Sequence, residues 1–190
     1  MQNVTSTPGV RHSLPEETGR RPSEPVGTAR FSRCGCYRWW LGRWWSPDRP
    51  GLLFIGLNPS GADGRTDDPT LRRLARFARD WGFGGIEVVN LFSAVATSPR
   101  LLRGLTDPVG ARTDGWIRQR ALASRLEAIW LGWGNQGVWR RRDRQVLELL
   151  QAVVPGKPLL AIGATRLGQP RHPLYARATL RWQPWTPAPL

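Results

Sequence analysis

Short apolar runs alternate with polar turns and longer amphipathic stretches over most of this 190-residue chain. The first run, "LLFIG", is too short for a helix and does not alternate between apolar and polar residues, which is typical of a strand buried on both faces. Strands that alternate with helices favour a parallel sheet with helices on both sides. The sequence therefore predicts an α/β fold, a three-layer α/β/α sandwich with a mostly parallel four-stranded central sheet. Its strands are expected at 52–56, 86–90, 128–132 and 158–163.

Helix signals are clearest in "DDPTLRRLARFARDWGFGG", residues 67–85. Asp68 is a candidate N-cap, Pro69 suits the first helical position, and Gly82 suits the end of the helix. Further helices are predicted near 113–127 and within 140–154. The aromatic, basic stretch 36–45 is expected to form a short hairpin or an edge strand, and 178–182 a short terminal strand.

The polar ends of the chain predict its domain bounds, and its two cysteines indicate its redox environment. Residues 1–30 are polar and aperiodic and are interpreted as a disordered tail, 31–185 as a single domain, and 186–190 as a C-terminal tail. Cys34 and Cys36 are too close for an unstrained disulfide and lack further ligands for zinc. We therefore expect a cytoplasmic monomer without membrane association, bound metal or cofactor.

The chain is strongly basic. It has 28 Lys+Arg against 14 Asp+Glu, a formal net charge of +14, which favours polyanionic partners. The alternative explanation is the codon usage of a GC-rich genome, because Lys157 is the single lysine and arginine supplies all the other Lys+Arg residues. We favour nucleic acid, most simply DNA. Phosphate contacts are predicted from Arg140, Arg141, Arg142 and Arg171, although the first three could equally be a solvated helix start.

Polar side chains follow all four predicted strands. Because the carboxyl ends of parallel strands meet at one edge of a sheet, ligands bind there and these residues are expected to share one site. Singly, each has an ordinary explanation, since Asn makes caps and turns and His-Pro is common in loops. The candidates are Gly56, Leu57, Asn58, Pro59 and Ser60 after the first strand, Asn90 after the second, Trp133 and Asn135 after the third, and His172, Pro173, Leu174 and Tyr175 beyond the fourth.

Four ordered motifs carry a family resemblance: "GLNPS", "VVNLFSAVATSP", "WLGWGNQG" and "RHPLY". The chain resembles the bacterial domain-of-unknown-function family DUF1643 and, more distantly, the uracil-DNA glycosylase superfamily, over roughly residues 50–176. It departs from the superfamily at Ser60, where glycine is usual after Asn-Pro. It also lacks Ser-Pro after His172-Pro173.

The resemblance implies glycosylase-like recognition of a base in DNA, with hydrolysis of the N-glycosidic bond of a damaged or modified base. In that case Asn58 positions the attacking water through its side-chain carbonyl and Asn90 reads the base edge. His172, as neutral imidazole, donates to the base oxygen that gains charge. Leu174 and Tyr175 fill the space left by the flipped base.

Other interpretations stay open. Asp63, Asp67 or Asp68 could act as a general base or bind a metal with Asn58, although Asp68 is more simply a helix cap. The glycine-rich first turn also suits phosphate, but matches neither the P-loop nor the dinucleotide fingerprint. The whole protein could instead be a non-catalytic nucleic-acid-binding module, or an enzyme acting on free nucleosides or nucleotides.

Overall fold

A seven-stranded mixed sheet forms the centre of the molecule. The structure is a computed structural model, which describes residues 26–186 of the chain. The strand order is β1-β2-β4-β3-β5-β6-β7. Residues 1–25 of the predicted tail and residues 187–190 lie outside the described part. The strands are β1 Val26–Phe31, β2 Arg38–Trp44, β3 Gly51–Gly56, β4 Gly85–Asn90, β5 Leu126–Leu131, β6 Leu159–Ala161 and β7 Gln183–Pro184. The helices are α1 Pro69–Asp80, α2 Pro99–Arg103, α3 Thr113–Ala121 and α4 Arg142–Val153, with 3-10 helices at Gly134–Arg141 and Pro173–Tyr175.

The general α/β prediction is confirmed, and the four expected strands form the parallel centre of the sheet. β3 pairs with β4 and β5, and β5 with β6, all in parallel. The strand count of four is wrong, because antiparallel strands extend both edges: β1 and β2 on one side and β7 on the other. The sheet begins at Val26, inside the predicted tail, and the terminal strand lies at 183–184 rather than at 178–182.

Helices cover both faces of the sheet, which explains why the first apolar run does not alternate. Leu53 and Ile55 of β3 pack in the core beside α3 and α4. Leu52 and Phe54, which point the other way, pack in the core beside α1. Successive strand residues point to opposite faces, so a strand covered on both sides is apolar at every position.

The predicted cap of α1 is confirmed. The Oδ1 atom of Asp68 accepts a hydrogen bond from the Leu71 N–H at 2.7 Å, and the chain leaves the helix through Gly82 with φ +89°. The helix predicted near 113–127 is shorter, because β5 already begins at Leu126. Helix α2, which Ser98 caps, was not predicted. No helix within residues 26–186 combines the length and apolar character needed to cross a membrane.

Candidate functional site

A cavity of about 660 Å³ lies at the carboxyl ends of β3, β4 and β5. Its volume falls within the range of ordinary small-molecule pockets, and its place in the sheet is the usual one for ligands in α/β folds. Asn58, Asn90 and His172, which are far apart in sequence, all line it. Of the other predicted site residues, Gly56, Leu57, Ser60, Trp133, Asn135, Arg171 and Tyr175 line the cavity as well.

Asn58 is held with its side-chain oxygen free. Its Nδ2 donates to two backbone carbonyls, Pro59 O at 2.9 Å and Ala96 O at 2.8 Å. The segment is braced further by the Ala96 N–H, which donates to Pro59 O at 3.2 Å. Among residues 26–186, no donor reaches Oδ1. The amide is therefore fixed in one orientation and offers the cavity an acceptor.

Asn90 lines the same cavity and has an unpaired buried donor. It ends β4 and its side chain is buried, yet its Nδ2 has no hydrogen-bond partner within the described part of the chain. Its strand neighbour in register is Gly56, where an added Cβ would lie 2.9 Å from Asn90 Oδ1. A buried unpaired donor costs about 1–3 kcal/mol, so such groups are expected where a ligand completes the hydrogen bond.

His172 presents a second donor. Its Nδ1 accepts a hydrogen bond from the Leu174 N–H at 3.3 Å, at the start of the 3-10 helix. Burial lowers the pKa of His172 below its usual 6.5, and the negative charge of Asp68 opposes this shift in part. The ring is therefore neutral at physiological pH. Because Nδ1 is an acceptor, the neutral ring carries its proton on Nε2.

Asp68 adds a carboxylate to the cavity wall besides capping α1. Its Oδ2 accepts a hydrogen bond from the Ser60 hydroxyl. Arg38, which is buried at the start of β2, donates to Ala62 O at 2.7 Å, and burial lowers the pKa of its guanidinium to about 10, with Asp68 acting in the opposite direction. The carboxylate makes the N-terminus of α1 unsuitable for phosphate, because a negative group already occupies that position.

The other two aspartates of the rival interpretation serve local structure. Asp63 Oδ1 accepts the N–H groups of Arg65 and Thr66 at 2.7 and 2.6 Å, and these bonds lower its pKa. Asp67 pairs with Arg43 at 2.7 Å. Neither lines the cavity. Residues 26–186 contain no cluster of three or more His, Cys, Asp or Glu side chains that could hold a metal ion.

Hydrogen bonds join the segment after β5 to the loop after β6 across the cavity wall. Trp133 Nε1 donates to Gln169 Oε1 at 2.8 Å, and the Thr165 hydroxyl is 2.5 Å from Asn135 Oδ1. These bonds occupy the polar atoms concerned. Trp133 has its one polar side-chain atom occupied and Asn135 its side-chain oxygen, while Asn58, Asn90 and His172 keep unpaired atoms.

Some predicted site residues lie elsewhere. Arg142 is buried, donates to Leu91 O at 3.1 Å and pairs with Asp114 at 2.6 Å, so its guanidinium already has protein partners. Arg140 and Arg141 are exposed but do not line the cavity, and neither do Pro59, Pro173 and Leu174. Several lining residues were not among the predicted site residues: Arg38, Thr70, Thr97, Ser98, Gln136 and Thr165. Arg38 lies there because β2 runs antiparallel to β4 and starts where β4 ends.

The model of the family described as "Protein of unknown function (DUF1643)" matches residues 38–174. The chain belongs to this family. The predicted resemblance to DUF1643 is thereby confirmed. Neither the curated proteins nor the solved structures give a significant match.

The matched segment contains the candidate site. It begins at Arg38, includes Asn58, Asn90 and His172, and ends at Leu174, one residue before Tyr175. In this DUF1643 chain, the edge strand β1 and the terminal strand β7 lie outside the match. The segment common to the family thus supplies the parallel centre of the sheet and nearly all of the cavity.

Proposed function

We propose that this protein recognises a base in DNA in the manner of a DNA glycosylase and hydrolyses the N-glycosidic bond of a damaged or modified base. One observation carries the proposal: an acceptor on Asn58 and donors on Asn90 and His172 line one cavity at the ends of the parallel strands. The arrangement of helices on both faces of the sheet supports the more distant likeness to the uracil-DNA glycosylase superfamily. The DNA partner, the reaction and a monomeric, cytoplasmic protein are parts of this proposal.

Cleavage of the bond needs a positioned water and donors aimed at the departing base, because the base leaves as an anion while the sugar becomes oxocarbenium-like. The free Oδ1 of Asn58 suits the water. As a neutral amide it orients the water rather than removing its proton. The Nε2–H of His172 suits the base oxygen that gains charge, and the unpaired Nδ2 of Asn90 suits an acceptor on the base edge.

A base in a duplex reaches such a cavity only after it leaves the stack. Tyr175 is 82% exposed and Leu174 38% exposed, and the Tyr175 ring centroid lies 5.9 Å from that of His172. Their position beside the cavity supports a role in filling the vacated space. Arg171 is exposed at the cavity wall and its guanidinium donates to Ala164 O at 3.2 Å, which holds a positive charge there for a phosphate.

The function is tested with DNA oligonucleotides that each carry one damaged or modified base, followed by alkali to break the strand at abasic sites. We expect breaks at one or a few of these bases. A matched preparation of Asn58→Ala serves as the control for contaminating glycosylases, and it is expected to act at least about tenfold more slowly because the water loses its acceptor.

The other outcomes separate the rival functions. Breaks that are equally fast with Asn58→Ala would contradict the site. Tight DNA binding without breaks at any base would favour a non-catalytic binding module. Release of bases from free nucleosides as fast as from oligonucleotides would favour an enzyme acting on small substrates.

The proposed phosphate contact of Arg171 gives a separate prediction. Arg171→Glu is expected to weaken DNA binding and to reduce the slope of log affinity against log salt concentration by about one, since about one phosphate contact is lost. Fluorescence anisotropy over a salt series measures both quantities.

Arg49→Glu is the matched control for Arg171→Glu. Arg49 is also exposed, but it precedes β3 and so lies at the opposite edge of the sheet from the cavity. The two variants change the net charge equally. Equal salt slopes for both would contradict a phosphate contact at Arg171, because only the overall charge would then matter.

A further inference from the structure

The two cysteines lie together in the exposed turn that joins β1 to β2. Ser32 N–H donates to Tyr37 O at 2.9 Å and Gly35 N–H donates to Ser32 O at 3.0 Å, so the turn is closed by its own backbone. Gly35 has φ +72°, a conformation that other residues adopt only with strain. This glycine therefore allows Cys34 and Cys36 to approach each other, and both side chains are exposed.

Two donors point at the sulfur of Cys34. The Cys36 N–H donates to Cys34 Sγ at 3.4 Å. The Ser32 Oγ lies 3.3 Å from the same sulfur, and because Ser32 Oγ already accepts from the Tyr37 N–H at 3.1 Å, its hydrogen is free to face Cys34. The Cys36 thiol instead donates to Cys34 O at 3.6 Å. Donors at a sulfur stabilise its thiolate, so the two thiols are unequal.

The two thiols also differ in acid strength. Hydrogen bonds, above all from Cys36, lower the pKa of Cys34 from 9.0 to about 7, whereas the pKa of Cys36 is raised. At neutral pH about half of Cys34 is therefore thiolate and able to attack, while Cys36 stays a thiol that becomes reactive only when its partner is consumed.

We propose that the Cys34–Cys36 turn is a thiol–disulfide exchange site, with Cys34 as the attacking residue and Cys36 as the resolving residue, and that small disulfides such as glutathione disulfide are its reactants. In the first step Cys34 thiolate attacks one sulfur of glutathione disulfide, forms a mixed disulfide and releases glutathione thiolate. In the second step Cys36 loses its proton to solvent, attacks the Cys34 sulfur and releases the second glutathione. The protein is oxidised by two electrons and glutathione disulfide is reduced.

The resulting bond is suited to a transient role. A disulfide between residues only one apart is strained, and strained, exposed disulfides are easily reduced. The turn also contacts the segment beside the cavity, because the Val95 N–H donates to Cys36 O at 2.9 Å. Both sulfurs remain exposed despite this contact. The proposal does not depend on the function proposed for the cavity.

The test uses the full chain, reduced and then freed of reductant, with glutathione disulfide at pH 7 and mass spectrometry of the products. Wild type is expected to end as an intramolecular disulfide without attached glutathione, and Cys36→Ser to accumulate the mixed disulfide at Cys34. Relative to a thiol of pKa 9.0, a thiol of pKa about 7 gains some 50-fold in thiolate but loses about tenfold in nucleophilicity. Cys36→Ser is therefore expected to react at least about fivefold faster than Cys34→Ser.

Serine is chosen because its hydroxyl keeps a donor beside the remaining sulfur, and because both positions are exposed and tolerate the change. The rate of Cys36→Ser is expected to rise through about pH 7 and to level off roughly one to two pH units higher, as Cys34 approaches full ionisation. Equal rates for the two variants, or a wild-type protein that retains glutathione as a mixed disulfide, would overturn the proposal.

Discussion

Replacing His172 with asparagine is expected to slow release of the base about a hundredfold or more, whereas glutamine at the same position should stay within about tenfold of wild type. Removing one donor from a developing oxyanion typically costs two to three orders of magnitude in rate. Asparagine keeps an acceptor for the Leu174 N–H near the position of Nδ1. Its side chain is too short to place a donor at the position of Nε2. Glutamine places an amide N–H close to the position of Nε2.

The two variants distinguish hydrogen-bond donation by His172 Nε2 from a purely structural role of His172. Single-turnover rates on the base that wild type releases fastest measure donation, and urea unfolding of each variant measures stability. If His172 only anchors the Pro173–Tyr175 turn, asparagine should be the better replacement in both measurements. An asparagine variant as fast as wild type, or faster than the glutamine variant, would contradict a role for Nε2 in catalysis.

The placement of the site could be predicted from sequence because it depends on few rules. Asn58 and Asn90 each follow an apolar run of strand length, and parallel strands bring their carboxyl ends to one edge. The orientation of the Asn58 amide could not be predicted, since it is set by Ala96 O, 38 residues further along the chain. The cap role of Asp68 could be predicted from the neighbouring residues. Its place in the cavity wall could not, because the wall also includes residues of β2 and of the loop after β6, which are distant in sequence.

Charge patterns were less informative than apolar patterns. Arg142 lies in a run of four basic residues interrupted only by Asp143, which predicted a solvated or phosphate-binding surface. In the structure Arg142 is buried, because its guanidinium bonds Leu91 O and the exposed carboxylate of Asp114, which belong to other parts of the chain. Edge strand β1 was missed for a related reason, since its polar sequence shows no period and its partner β2 lies across a turn.

Glu87 is a buried charged residue whose burial is explained by its hydrogen-bond partners. It lies in β4 within "IEVVN" and is only 2% exposed. Its Oε2 accepts a hydrogen bond from Trp40 Nε1 at 2.8 Å, and Oε1 accepts one from Arg120 at 3.0 Å. The Arg120 guanidinium also lies 5.3 Å from the centroid of the Trp40 ring. The carboxylate thus links β4 to Trp40 of β2 and Arg120 of α3.

Glu87→Ala is expected to lower the free energy of unfolding by about 3 kcal/mol, since removing one partner of a buried ion pair leaves the other charge uncompensated. Arg120 is 18% exposed and can turn partly toward water, which places the effect at the lower end of the usual range. Glu87→Gln should cost less, because the amide still accepts from Trp40. Glu127→Ala, an exposed glutamate on β5 of the same sheet, is the matched control and should change stability by less than about 0.5 kcal/mol. Urea unfolding measures all three, and equal losses for Glu87→Ala and Glu127→Ala would contradict a structural role for the buried pair.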